Sequence, residues 1–274
     1  MPELPEVQTI CDSLHRQLSG LRIDKALHAG KLRNTVTLPE LDAFCRGKTI
    51  ASVTRRAKYI LVHFTDQSGL ILHLGMTGCF IIDSDDEQPT KHERVRWLLS
   101  DGRHWRFCDV RGFGSLQLCP KGTDFDQHPS LAKLGIEPLS EAFTGQLLKK
   151  LCRLRKTAIK PLIMDQAHVV GIGNIYANEA LFRCGISPKK PSCKLTLRQC
   201  DQLVAAIKEV LLAAIAAGGS SIRDFHHVDG SEGLFKVQLC VYGKAGLPCP
   251  ECGTEIKRFV QGGRSSFFCP KCQR

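Results

Sequence analysis

The chain has 274 residues, 43% hydrophobic and 24% charged, values that suit two modest folded domains and carry no signature of disorder. A formal net charge of +11 exceeds what an enzyme of small metabolites needs and points to a polyanion, with nucleic acid ahead of an anionic membrane surface. The longest apolar run, residues 210–217, falls far short of the roughly 20 residues of a spanning helix, and the N-terminus, bearing Glu3 and Glu6, has no signal core. A cytosolic or nucleoid-associated protein with no membrane partner is expected.

In chain order, residues 4–18 carry an apolar–polar pattern that predicts a helix, with Pro5 tolerated in its first turn. From residue 26 to residue 118 the texture changes to short apolar runs, at 49–53, 59–64, 70–74, 94–99 and 115–118. Gly, Asp and Ser turns divide them, and this spacing predicts an antiparallel sandwich or barrel. Residues 135–138 read as a linker. Helical periodicity then dominates at 141–154, 159–165, 174–182 and 197–217, the last ending at Gly218-Gly219 as a C-cap. Residues 220–233 are polar and Gly-rich, and 237–242 read as a strand. The fold class is α+β.

Fourteen cysteines in a reducing compartment are not expected to form disulfides. Ten of them, Cys11, Cys45, Cys79 and Cys200 among them, are scattered singly and read as small buried hydrophobes. The other four are organised. Cys249-x2-Cys252 and Cys269-x2-Cys272, sixteen residues apart, match a four-cysteine zinc ribbon, in which each pair turns two thiolates toward one tetrahedral centre. Four thiolates leave no open position, so the expected Zn2+ is one structural ion. Lys257, Arg258 and Arg264 on the intervening hairpin suit a phosphate backbone.

Between Gly145 and Lys160 stand Lys149, Lys150, Arg153, Arg155, Lys156 and Lys160 with no acid among them, a set that repels itself unless a polyanion is present. Then comes Val169-Val170-Gly171-Ile172-Gly173-Asn174-Ile175-Tyr176, two glycines opening a helix, which predicts a phosphate contact at Asn174. It is not a dinucleotide fingerprint, because Tyr176 takes the place of the third glycine.

At the N-terminus, Met1 precedes a small residue and is expected to be trimmed, leaving Pro2 as a secondary amine. An α-amino group titrates near 7.7–8.0, so a useful fraction is nucleophilic at neutral pH. A secondary amine attacking a sugar C1′ can collapse only to a cationic iminium, an electron sink for elimination. Read from the residues alone, a rigid N-terminal turn competes with this nucleophile.

Several motifs now occur in order: Pro2-Glu3-Leu4-Pro5-Glu6-Val7, Arg55-Arg56-Ala57-Lys58-Tyr59, His73-Leu74-Gly75-Met76, residues 109–113, Gly171-Ile172-Gly173-Asn174 and the terminal cysteines. Together they closely resemble the bacterial formamidopyrimidine-DNA glycosylases over essentially the whole chain. Leu4 favours this branch over the endonuclease VIII branch, where Gly is usual. The resemblance implies an N-terminal antiparallel β-sandwich with a leading helix (1–135), a helix-two-turn-helix domain (136–220), a lesion-covering loop and connecting strand (221–246) and a β-hairpin zinc finger (247–274), with DNA in the cleft between domains. It implies Pro2 as nucleophile, Glu3 as proton donor to the opening sugar, Glu6 as its support, Lys58 near C1′ and the departing phosphates, and Arg264 gripping the phosphate beside the lesion. It further implies DNA contacts from His73, Met76, His92, Arg111, Phe113, Arg155, Lys160, Asn174, Ser221 and Arg223.

Met76, Arg111 and Phe113 have a physical logic of their own. A flipped nucleotide leaves a hole in the stack and an orphaned partner base; apolar wedges fill the one and a guanidinium bonds the other. The short polar side chains of residues 220–233 suit a lid with backbone donors. Two positions depart from the family pattern: Gly112 stands where a second basic residue is common, and Val110 where proline is common. The expected activity is a bifunctional DNA glycosylase and abasic-site lyase of base excision repair. It excises 8-oxoguanine and formamidopyrimidines by β,δ-elimination, as a monomer on duplex DNA with oxidised bases or abasic sites. The alternatives are an endonuclease VIII-like preference for oxidised pyrimidines and a non-catalytic zinc-ribbon binder of damaged DNA.

Overall fold

The computed structural model describes residues 1–34, 36–84, 89, 91–219 and 239–274. Ser221 and Arg223, with the 220–233 segment expected as a lesion cover, lie outside them. The chain divides into two compact units, one built on Met1–Ala132 and the other on Lys133–Ala217 with the C-terminal segment.

The first unit opens with helix α1 (Leu4–Leu18). Pro5 sits in the first turn, where its missing N–H costs nothing. The Glu6 carboxylate reaches back to accept the Glu3 N–H at 2.8 Å. Leu4, Val7, Ile10, Cys11, Leu14 and Leu18 form its buried stripe, at the three-to-four spacing of one helix face. Strands β1 (Ile23–Ala29), β2 (Ile50–Arg56), β3 (Tyr59–Phe64), β4 (Gly69–His73), β5 (Gly78–Asp83), β6 (Glu93–Leu99), β7 (His104–Asp109) and β8 (Ser115–Cys119) form two antiparallel sheets, ordered β1-β6-β7-β5 and β2-β3-β4-β8. Helix α2 (Leu38–Cys45), capped by Thr37 and Glu40, packs on β1. One apolar core serves both sheets. Val62, Leu70 and Leu72 of one meet Trp97, Trp105 and Phe107 of the other, with Trp97 stacked on Trp105 at 4.2 Å and Phe80 on Phe107 at 4.9 Å.

The second unit holds α3 (Gly145–Cys152), α4 (Ile159–Ile163), α5 (Asn174–Arg183), α6 (Leu197–Ala216) and the hairpin β9 (Lys257–Gln261) and β10 (Arg264–Phe268). The helix expected at 141–154 begins only at Gly145, because Thr144 Oγ1 accepts the Leu147 N–H and caps it there. It also stops at Cys152, so the basic stretch is not one helix. Lys149 and Lys150 ride on α3, Arg153 starts a turn after it, Arg155 and Lys156 lie in irregular chain, and Lys160 belongs to α4. The strand expected at 237–242 is a second correction. Its described part, residues 239–242, bends, because the Glu179 carboxylate takes the N–H groups of Cys240, Val241 and Tyr242 at 2.7, 3.0 and 2.8 Å, leaving none for a ladder.

Candidate active site and metal centre

In the first unit, Glu3 and Glu6 stand at the N-terminus of α1, 3% and 1% exposed. The backbone N–H groups there favour buried negative charge. Pro2, half-buried, precedes them directly. A second element is held beside this helix start. Arg55 of β2 donates to Gln8 Oε1 at 2.8 Å and to the Ala57 carbonyl at 3.0 Å, and the Cys11 thiol donates to the Thr54 carbonyl at 3.4 Å. The turn from β2 to β3 that follows contains only Ala57 and Lys58. Ala57 takes φ +55°, a left-handed conformation costly for a residue with a Cβ. Lys58 is 7% exposed and therefore no surface lysine. His73, on the end of β4, packs its ring against Tyr59 at 4.8 Å with the planes tilted by 55°, and it accepts the Gly75 N–H at 3.0 Å. Burial, with Lys58 and Arg33 nearby, pushes the His73 pKa down to about 4, so the ring is neutral at physiological pH.

The loops after β4 and β7 form one ledge. Asp109 is fully buried, and its carboxylate accepts from Thr77 Oγ1 at 2.5 Å, Gly114 N at 2.7 Å and Arg111 N at 3.2 Å. Gly75, at φ +62°, lies so close to the Phe113 backbone that a Cβ would meet it at 2.5 Å. The ledge thus holds Met76 and Phe113 outward at 37% and 45% exposure, with the Arg111 guanidinium over the Phe113 ring at 4.9 Å. Val110 is exposed beside them, and Gly112 takes φ +65°, a conformation glycine adopts freely. His92, half-buried, lends its carbonyl to the Asp109 N–H at 2.8 Å. Asp109 organises this ledge, yet nothing in the local sequence marked it as more than part of a motif.

In the second unit, Cys249, Cys252, Cys269 and Cys272 bring their sulfurs within 4.8 Å of one another. The sulfurs of Cys249 and Cys272 lie 3.9 Å apart, those of Cys252 and Cys269 3.5 Å, and those of Cys252 and Cys272 3.4 Å. Tetrahedral zinc with Zn–S bonds of about 2.3 Å asks for sulfurs about 3.8 Å apart, so the four thiols fit one structural Zn2+. Hydrogen bonds from Thr254 hold the Cys252 thiol down to about 6, toward the thiolate that binds metal.

The hairpin carried by this centre is fastened to α4 and α5 by polar side chains. Lys160, 1% exposed, donates to the Ser265 carbonyl at 2.9 Å and to Ser266 Oγ at 2.7 Å. Asn174 Nδ2 donates to the same carbonyl at 3.0 Å, and Asn178 Oδ1 accepts the Phe267 N–H at 2.8 Å. Lys160 therefore does not stand on the surface as the basic stretch suggested; its ammonium is spent inside, on the strand. Asn178 and Glu179 carry no motif signal and escape sequence reasoning. The hairpin turns at Gly262-Gly263, both at positive φ, as a tight two-residue loop requires. Arg264, the next residue, is exposed and lines a cavity of about 150 Å3 with Lys160, Met164 and Gln261. Gly171, at φ +79°, gives its N–H to Gln166 Oε1 at 2.8 Å, fixing the turn into α5. Arg155 is exposed in the irregular chain after α3.

The arrangement has close relatives. Residues 1–116 match the formamidopyrimidine-DNA glycosylase N-terminal domain, residues 134–226 the formamidopyrimidine-DNA glycosylase H2TH domain, and residues 246–274 the zinc finger found in FPG and IleRS. The chain is 45% identical over 275 residues to the formamidopyrimidine-DNA glycosylase of Thiobacillus denitrificans and 42% identical over 274 residues to that of Marinobacter nauticus, covering 100% of each chain. Among solved structures it is similar to the MutM (FPG) protein of Thermus thermophilus, with a TM-score of 0.86 and 39% identity over 99% of this chain and 98% of that one. The Lactococcus lactis Fpg in complex with DNA containing an abasic site gives a TM-score of 0.88 at 33% identity, over 99% of both chains. With all three domain matches in order and full-length identity above 40%, the chain belongs to the formamidopyrimidine-DNA glycosylase family.

Proposed function

We propose that the chain is a DNA glycosylase and abasic-site lyase of base excision repair, acting on oxidised purines in duplex DNA. The observation that carries this reading is the grouping, within one unit, of a half-buried Pro2, the buried carboxylates of Glu3 and Glu6, and the buried Lys58 on a strained turn tied to the same helix.

With Met1 removed, the Pro2 nitrogen attacks C1′ of the damaged nucleotide, and the base departs with its bonding pair and takes up a proton. Glu3 protonates the ring oxygen as the sugar opens, while the nitrogen loses its proton and the C1′–N bond becomes an iminium. Glu6 keeps the Glu3 backbone in place. Loss of a C2′ proton into that electron sink expels the 3′ phosphate, and a second elimination expels the 5′ phosphate. Lys58 and Arg264 carry the charge of the departing and flanking phosphates. Met76, Phe113 and Arg111 occupy the space of the flipped nucleotide and bond its former partner. Arg155, Asn174, His73 and His92 serve DNA binding, and Lys160 serves it through the hairpin that it holds. With duplex DNA as substrate, the working place is the nucleoid in the cytoplasm, and the chain acts as a monomer.

Matched duplexes carrying 8-oxoguanine opposite cytosine or thymine glycol opposite adenine test the substrate class. Faster release of 8-oxoguanine is expected. Faster release of thymine glycol supports the oxidised-pyrimidine alternative, and binding without release of either supports the non-catalytic one.

A further inference from the structure

Ten cysteines lie outside the zinc centre, scattered singly in sequence, yet the fold brings two of them, Cys79 and Cys108, face to face. Strands β5 and β7 pair antiparallel with Cys79 directly opposite Cys108. Their neighbours Phe80 and Phe107 point into the core and stack there, so both thiols project from the other face of the sheet, side by side. Both are half-buried and reachable by a small solute. Opposed residues in antiparallel strands have Cα atoms about 4.5–5.5 Å apart, inside the roughly 4.4–6.8 Å that a disulfide spans. The neighbouring thiol pulls Cys79 down and pushes Cys108 up, while burial raises both.

Position gives this pair its consequence. Cys79 is the second residue of β5 and follows Met76 by three; Cys108 is the penultimate residue of β7 and precedes Arg111 by three. Between Cys108 and Arg111 stands Asp109, which anchors the ledge.

We propose that Cys79 and Cys108 form a redox site that a hydroperoxide converts to a disulfide, shifting the ledge of Met76, Arg111 and Phe113 out of its DNA-competent position. The consequence for DNA rests on the functional reading above; formation of the bridge does not. One thiolate attacks the peroxide O–O bond, forming a sulfenic acid and releasing hydroxide, which takes up that thiol's proton as water. The second sulfur displaces the sulfenic oxygen, which leaves with the second proton as another water. Two thiols are oxidised and one peroxide is reduced. The new bond draws the sulfurs to about 2.05 Å, well inside non-bonded contact, and the strand ends must adjust. A displacement of about 1 Å at groups that position a substrate costs up to about a hundredfold. In a reducing compartment a bridge of this kind is transient, as redox-sensing disulfides are.

The test uses the full-length, zinc-loaded protein treated with equimolar hydrogen peroxide, followed by alkylation and peptide mapping, zinc assay and binding to a duplex with a tetrahydrofuran abasic analogue. The expected result is a Cys79–Cys108 linked peptide with zinc retained, and binding weakened about tenfold and restored by dithiothreitol. Cys79→Ser and Cys108→Ser bind as the reduced wild type does, before and after peroxide. Oxidation of Cys193, an exposed thiol outside the zinc centre, or of the zinc cysteines without the bridge would overturn the proposal, as would a bridge that leaves binding unchanged. A reduced protein that binds no lesion duplex would overturn the functional reading and the coupling together, while the peptide map still reports on the bridge.

Discussion

The carboxyl group of Asp109 is fully buried, and three donors that all belong to the ledge it organises satisfy it. Asp109→Ala leaves those donors unpaired in a dry site and is expected to cost about 3 kcal/mol in urea unfolding. Met76→Ala, at the half-exposed rim, is expected to cost under about 1 kcal/mol. Both variants weaken binding to lesion duplex, and only the first weakens the fold. A Met76→Ala variant with wild-type affinity would remove Met76 from the contact. His73 supplies a pH signature. Its folded pKa, about 4, lies below the unfolded value near 6.5, so the unfolded chain takes up a proton first as pH falls. Stability is therefore lost between pH 6.5 and 4. From pH 7 to pH 5 the wild type should lose about 2 kcal/mol more than His73→Gln; parallel losses would show that the ring is not held neutral.

At the scale of elements, the zinc hairpin depends on both metal and polar fasteners. Asn178→Ala removes the acceptor of a buried N–H, and exchange of the Phe267 amide should quicken as the hairpin loosens by about 2 kcal/mol. Removing zinc with a strong chelator should have a larger effect on the same amide. It should leave the environment of Trp97 and Trp105 unchanged, since both are packed in the core of the first unit. A tryptophan signal that follows zinc loss would mean that the two units do not unfold separately. The elements differ in how far sequence discloses them. Helices α1, α5 and α6 are legible because apolar spacing, caps and glycine stops agree within each segment. The zinc cysteines are legible because their geometry is encoded in their spacing. Strands β1, β5 and β7 are not. Trp105 and Phe107 face the core while Arg106 and His104 are buried on the other side, so the alternation that marks a half-exposed strand is absent. The thiol pair on β5 and β7 and the inward Lys160 are invisible for a related reason: each depends on a partner far away in sequence, at a register fixed only by the fold.

Across the whole molecule, the excess of positive charge predicts DNA affinity that falls steeply with salt. Arg264→Ala should reduce the slope of log affinity against log salt by about one, and an unchanged slope would take Arg264 off the phosphate backbone. The proposed nucleophile Pro2 directly precedes the buried Glu3 and Glu6 at the start of α1, and the turn that carries the buried Lys58 follows a strand tied to the same helix through Arg55 and Gln8. A form that keeps Met1 has Pro2 locked in a tertiary amide, and on the proposed mechanism it is expected to bind DNA but not to cut it. The most direct measurement is borohydride reduction of the protein on duplex containing 8-oxoguanine, followed by mass mapping of the adduct. A covalent DNA adduct on the Pro2 nitrogen, absent from protein retaining Met1, is the predicted result. No adduct with Met1-free protein, or an adduct on a lysine with Pro2 unmodified, would contradict it.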